Sequence, residues 1–83
     1  MIMHALLDLA RSHHRAGRLA EAEAAYRQIV NSEPANAETL HLLGLALAGQ
    51  RRPAEAIIEF RQAIALKPDY GEAVYNLARA LQD

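Results

Sequence analysis

The stretch that decides the fold runs from Ala37 to Tyr70 and reads AETLHLLGLALAGQRRPAEAIIEFRQAIALKPDY, 34 residues. Leu40, Leu43, Gly44 and Leu47 stand at i, i+3, i+4 and i+7. That spacing gathers side chains on one face of an α-helix. Gly49 interrupts the pattern and Pro53 follows it. A second stripe runs through Ala56, Phe60, Ala63 and Ile64, and Pro68 closes it. Two helices joined by a short turn are expected to pack back to back. Gly44 lies inside the first stripe, where Gly costs about 1 kcal/mol relative to Ala. The expected compensation is close approach of the second helix, with Ala56 as the facing small surface.

Moved back by 34 residues, the pattern recurs. Leu6, Leu9, Ala10 and His13 fall on Leu40, Leu43, Gly44 and Leu47. Ala22, Tyr26, Ile29 and Pro34 fall on Ala56, Phe60, Ala63 and Pro68. Moved forward by 34, Val74, Leu77, Ala78 and Leu81 take the places of the first stripe. A fixed period in this range marks stacked repeats, each of which buries its apolar face against its neighbour.

At these positions the sequence resembles the tetratricopeptide repeat (TPR) family. The family pattern places a large residue, Leu, a small residue and Tyr in the first helix, then Ala, an aromatic, Ala and Pro in the second. Here those places hold Leu40, Leu43, Gly44, Leu47, Ala56, Phe60, Ala63 and Pro68. No Trp stands at the first large position, His13 and Leu47 replace Tyr, and Ile29 replaces the later Ala. The resemblance implies an all-α fold, a right-handed solenoid of five antiparallel helices. It places repeat 1 at about 3–36, repeat 2 at 37–70 and a terminal half repeat at 71–83.

Composition narrows the function classes. Eighty-three residues make one small domain, which buries about 60% of its unfolded surface. No Cys is present, which excludes disulfides, thiolate metal sites and thiol catalysis. The net charge of −1 argues against a general nucleic-acid binder. No apolar run approaches the roughly 20 residues of a membrane span. The first residues, MIMHALLDLARSHHR, lack the layout of a secretory signal, and a cytoplasmic location is expected. Eighteen Ala and twelve Leu suit closely packed helices.

In chain order, helices are expected at about 2–15, 19–31, 37–48, 53–66 and 71–81. Gly17 and Gly49 are the expected stops of the first and third. Asn36 caps the third, and Pro53 takes the first helical position of the fourth. Asp69 is the expected cap of the fifth, with Glu72 completing a capping box.

The resemblance also implies a concave groove lined by the first helix of each repeat. By family position it is lined by His4, Leu7, Asp8, Arg11, His14 and Arg15 in the first helix. Glu38, His41, Leu42, Leu45 and Ala48 line it in the third, and Glu72, Tyr75, Asn76, Arg79 and Gln82 in the fifth. The core of this expectation is Leu7, Asp8, Arg11, His41, Leu42, Leu45, Tyr75, Asn76 and Arg79. Leu42 and Leu45 give an apolar centre between polar walls, suited to an extended peptide or a partner helix. Some members of the family grip a C-terminal carboxylate with Lys and Asn. Asp8, Leu42 and Leu45 depart from that set. Arg11 and Arg79 are suited to pairing with acidic side chains.

No cofactor and no metal are expected. His4 and His14 are roughly 15 Å apart by helical rise, and no pair of His at i, i+4 carries an intervening Glu. No Gly-x-Ser-x-Gly turn or Gly-rich loop points to catalysis. Arg51 and Arg52 form a small basic patch. The reading is therefore a non-enzymatic module that binds a protein or peptide. Two alternatives stand beside it. One is an appendage of a larger enzyme, such as a glycosyltransferase. The other is a self-assembly module that pairs as a homodimer through Val74, Leu77, Ala78 and Leu81, a stripe with no following helix to cover it.

Overall fold

The computed structural model describes residues 2–82, with side chains from His4 onward. Asp83, the last residue of the expected half repeat, lies outside the described residues. Five helices follow one another: α1 (Ile2–Arg15), α2 (Leu19–Ser32), α3 (Ala37–Gly49), α4 (Pro53–Leu66) and α5 (Gly71–Gln82). No strand occurs among the described residues. Each helix packs mainly on its neighbours in sequence, and α3 also meets α5 across the inner side. The result is a slab of 34 × 25 × 17 Å. This is the layout of a helical-repeat solenoid.

The core follows the 34-residue register. Ala22 and Tyr26 in α2, and Ala56 and Phe60 in α4, are fully buried. Leu43, Ala46 and Leu47 of α3 pack into the same cluster. Leu40, Ala63 and Ala73 form a smaller cluster where α3, α4 and α5 meet. Large apolar side chains buried this completely each contribute about 1.5–3 kcal/mol.

The partner of Gly44 differs from expectation. A Cβ built there would lie 2.5 Å from Cε1 and 2.7 Å from Cδ1 of Phe60. The ring of Phe60, rather than Ala56, fills the space that the glycine leaves open. Ala56 is buried in the same cluster and still provides a small surface at the crossing.

The helix ends agree with the sequence reading at Gly17 and differ after Gly49 in the residue that makes the turn. Gly49 is the last residue of α3, and its small size leaves room for Leu19, whose Cδ1 would lie 2.6 Å from an added Cβ. The turn itself is made two residues later. Gly17 has φ +80 and Arg51, its register mate, has φ +62. Gly17 N–H donates to His14 O at 3.0 Å and Arg18 N–H to His13 O at 2.9 Å. Arg51 N–H donates to Ala48 O at 3.0 Å and Arg52 N–H to Leu47 O at 3.1 Å. Both are the paired bonds of a Schellman ending, whose left-handed residue is normally Gly.

Helix starts are mixed. Asn36 caps α3 as expected, its side chain accepting from Thr39 N–H at 3.1 Å. Pro53 opens α4. At α5 the cap position belongs to Tyr70, whose carbonyl accepts from Val74 N–H at 3.1 Å. Asp69 sits one residue too early for the capping box. Leu9 departs as well, at 51% exposed against 1% for its register mate Leu43. The reason is packing: α2 and α4 flank α3 on both sides, whereas α1 has α2 as its main partner.

Candidate protein-interaction groove

Residues 34 apart stand at one level of α1, α3 and α5. Three such rows cross the expected groove: Leu7, His41 and Tyr75; Asp8, Leu42 and Asn76; Arg11, Leu45 and Arg79. The rows share a register but not an environment. Leu7, Leu42, Leu45 and Asn76 are partly buried, Asp8 and Arg79 are exposed, and Tyr75 is 64% exposed.

His41 is the clear correction. It is 4% exposed, and both ring nitrogens are engaged. Asn76 Nδ2 donates to Nε2 at 3.0 Å. That leaves Nδ1–H of the neutral ring to donate to Tyr70 Oη at 3.1 Å. The Tyr70 ring lies edge-on with its centroid 5.0 Å away. Burial lowers the His41 pKa, with Glu72 and Glu38 opposing more weakly. His41 therefore joins α3 to α5 and offers no free group to a ligand.

Other groove side chains also hold each other. Arg11 Nη2 bridges to Glu38 at 2.8 Å, tying α1 to α3 along an exposed edge. His14 Nδ1 lies 3.0 Å from Tyr26 Oη, and burial lowers its pKa. The Arg79 guanidinium lies 5.9 Å from the centroid of the Tyr75 ring, a distance at which the ring face attracts a cation.

What remains open is the centre. Leu45, Ala48 and Gly49 of α3 face Asn76, Arg79 and Ala80 of α5 across a cleft of about 280 Å³, with Phe60 contributing to its wall. The lining is mixed, with the Asn76 amide and the Arg79 guanidinium beside Leu45, Phe60 and Ala80. Gly49, Phe60 and Ala80 were outside the sequence-based groove. Gly49 reads as a helix stop, Phe60 as a packing residue, and Ala80 falls in neither stripe nor groove, so the register alone does not bring them to the site. Chemically the site can bury an apolar side chain and pair with a carboxylate beside it.

The basic patch expected at Arg51 and Arg52 is also revised. Arg52 Nη1 pairs with Glu23 at 2.7 Å, and its other amino group pairs with Glu55. Arg27 Nε bonds the second oxygen of Glu23 at 2.9 Å. Gln50 Nε2 donates to Glu23 at 3.0 Å and to Ala46 O at 3.1 Å. Burial pushes the Glu23 carboxyl up, but the bonds from Gln50, Arg27 and Arg52 outweigh it and hold the pKa below its ordinary value. This network clips α2 to the turn between α3 and α4 and is part of the scaffold.

Among the described residues no group of three His, Asp or Glu gathers as a metal site. None of the helices described is long and apolar enough to cross a membrane. In comparison with known proteins, a family pattern described as Tetratricopeptide repeat matches residues 37–70. A second pattern of the same description matches residues 3–46. No curated protein matches the chain in sequence.

Proposed function

Because the chain belongs to the tetratricopeptide repeat family, whose repeats generally mediate protein–protein interaction, we propose that it binds a protein segment along the inner face of α1, α3 and α5. The observation that carries this is the α3–α5 cleft. Leu45 is half-buried in its wall, beside the Asn76 amide and the Arg79 guanidinium. A bound segment places an apolar side chain against Leu45 and an acidic group near Arg79. This module works by presenting a surface, and no step of chemistry is assigned to it.

The test is site-specific photocrosslinking in cells that express the protein. A benzophenone side chain replaces Leu45 in one variant and Ala24 in another. Ala24 is exposed on α2, away from the groove. Crosslinks enriched at position 45, and lost on addition of Arg79→Glu, are expected. Equal labelling from both positions refutes the assignment.

A further inference from the structure

We propose that His41 is a proton switch for the groove: the Asn76 amide offers an acceptor to the α3–α5 cleft while the ring is neutral, and turns to offer a donor once the ring is protonated. The proposal rests on the groove reading above and gives that site its regulation. Asn76 belongs to two places at once. It lines the cleft beside Leu45 and Arg79, and its Nδ2 donates to His41 Nε2 at 3.0 Å. An amide carries its acceptor oxygen and its donor nitrogen on opposite branches. With Nδ2 held by the ring, Oδ1 makes no hydrogen bond within the chain among the described residues. The sealed side-chain atom without a partner is Thr39 Oγ1, so Asn76 Oδ1 is open to solvent. It is the atom left for the cleft.

The ring has no slack. It is buried, with the Tyr70 and Phe60 rings centred 5.0 Å and 5.8 Å away. A neutral imidazole has one donor and one acceptor, and both are in use. An arriving proton therefore binds at Nε2, the acceptor. Nε2–H then faces the Asn76 N–H, two donors 3.0 Å apart. A buried donor without an acceptor is costly, and burial leaves no water to serve it. A half-turn of the amide removes the conflict by bringing Oδ1 to Nε2–H. The same turn swings Nδ2 out to the cleft. Tyr70 needs no change, since Nδ1–H donates to its Oη at 3.1 Å in both states.

The surroundings set where the switch operates. Burial keeps the proton off the ring, and Glu72 of α5 and Glu38 of α3 oppose it more weakly, so the ring takes its proton below the ordinary value of 6.5. Arg11 of α1 is paired with Glu38. From α4 the ring meets uncharged Phe60, and Lys67, just past the end of α4, lies over the Tyr70 ring at 5.0 Å. Among the described residues no charge of α2 acts on it. The amide is thus in its acceptor form at neutral pH and reaches its donor form in mild acid. A bound segment that gives Asn76 a donor at neutral pH finds two donors, Asn76 and Arg79, in acid. Its own donor is then unpaired, and binding weakens.

Nuclear magnetic resonance on the nitrogen-labelled chain, with no ligand added, tests the switch. The ring nitrogens of His41 report tautomer and protonation, and the side-chain NH2 of Asn76 reports the amide. The expected result is an Nδ1–H tautomer at neutral pH, a His41 midpoint below 6.5, and an Asn76 NH2 signal that shifts with that same midpoint. An Nε2–H tautomer at neutral pH overturns the proposal, because the amide then already turns its oxygen to the ring. An Asn76 signal that does not follow His41 overturns it as well. Asn76→Asp supplies a second measurement. A carboxylate only accepts, so the His41 midpoint should rise above that of the wild type; an unmoved midpoint refutes the contact. The groove reading fails separately, through the crosslinks at position 45. Their loss leaves the amide switch standing, and an amide that does not turn leaves the groove with fixed chemistry.

Discussion

Replacing Arg51 by Gly should stabilise the protein. Arg51 holds φ +62, in the left-handed region where the side chain of an L-residue costs about 1–2 kcal/mol. Glycine removes that strain but adds freedom to the unfolded chain, which returns about 0.4–1 kcal/mol. The difference is a gain of about 0.5–1 kcal/mol, or roughly 3–6 °C in Tm for a domain of this size. Little else intervenes. Arg51 is exposed and makes no ion pair among the described residues. The turn hydrogen bonds are backbone to backbone and survive the change. Gly17→Ala is the mirror experiment. No atom lies within 4 Å of a Cβ at Gly17, so its cost of about 1 kcal/mol comes from φ +80 and the left-handed penalty. Urea denaturation of both variants measures the effects, with m unchanged and the midpoints moving in opposite directions. A neutral Gly17→Ala, or an Arg51→Gly that unfolds earlier, refutes the shared-turn argument.

Two further outcomes follow from the packing and the charge network. Gly44→Leu should lower the unfolding free energy by about 1–3 kcal/mol or more, because Phe60 is fully buried and the new side chain overpacks the crossing; an unchanged midpoint and slope in urea would refute the contact. Glu23→Gln should lower Tm at neutral pH, and the gap to the wild type should close on acidification. The sign follows from the lowered Glu23 pKa. Its stabilisation is present above the ordinary value of 4.5 and is lost as pH falls through the lower folded value. A gap that widens toward acid contradicts the network.

The 34-residue register specifies most of the fold. It placed Tyr26 and Phe60, Ala22 and Ala56, and the prolines that open or close helices. It also held the answer to the α3 turn, since Gly17 maps onto Arg51. Gly49 drew the assignment two residues early because glycine is the usual ending. Its absent side chain serves packing against Leu19 instead. The same confusion of small residues hid Phe60 behind Ala56 as the partner of Gly44. Spacing tells which residues share a face, but not which side chain across the crossing reaches furthest.

The groove shows why register alone cannot name site residues. Leu7, His41 and Tyr75 occupy one place in three helices, yet His41 is 4% and Tyr75 64% exposed, with Leu7 between them. His41 stands one residue past Leu40, at the boundary between the packing face and the groove. What decides its fate arrives later in the chain: Tyr70, 29 residues on, and Asn76, 35 residues on. Neither is predictable from the spacing within one unit. Tyr75 keeps its exposure because α5, unlike α3, is packed mainly from one side. A solenoid of few units is therefore poorly described by a consensus site. Its middle helix ties His41 and Glu38 to both neighbours, while Asp8, Tyr75 and Arg79 of the outer helices stay exposed.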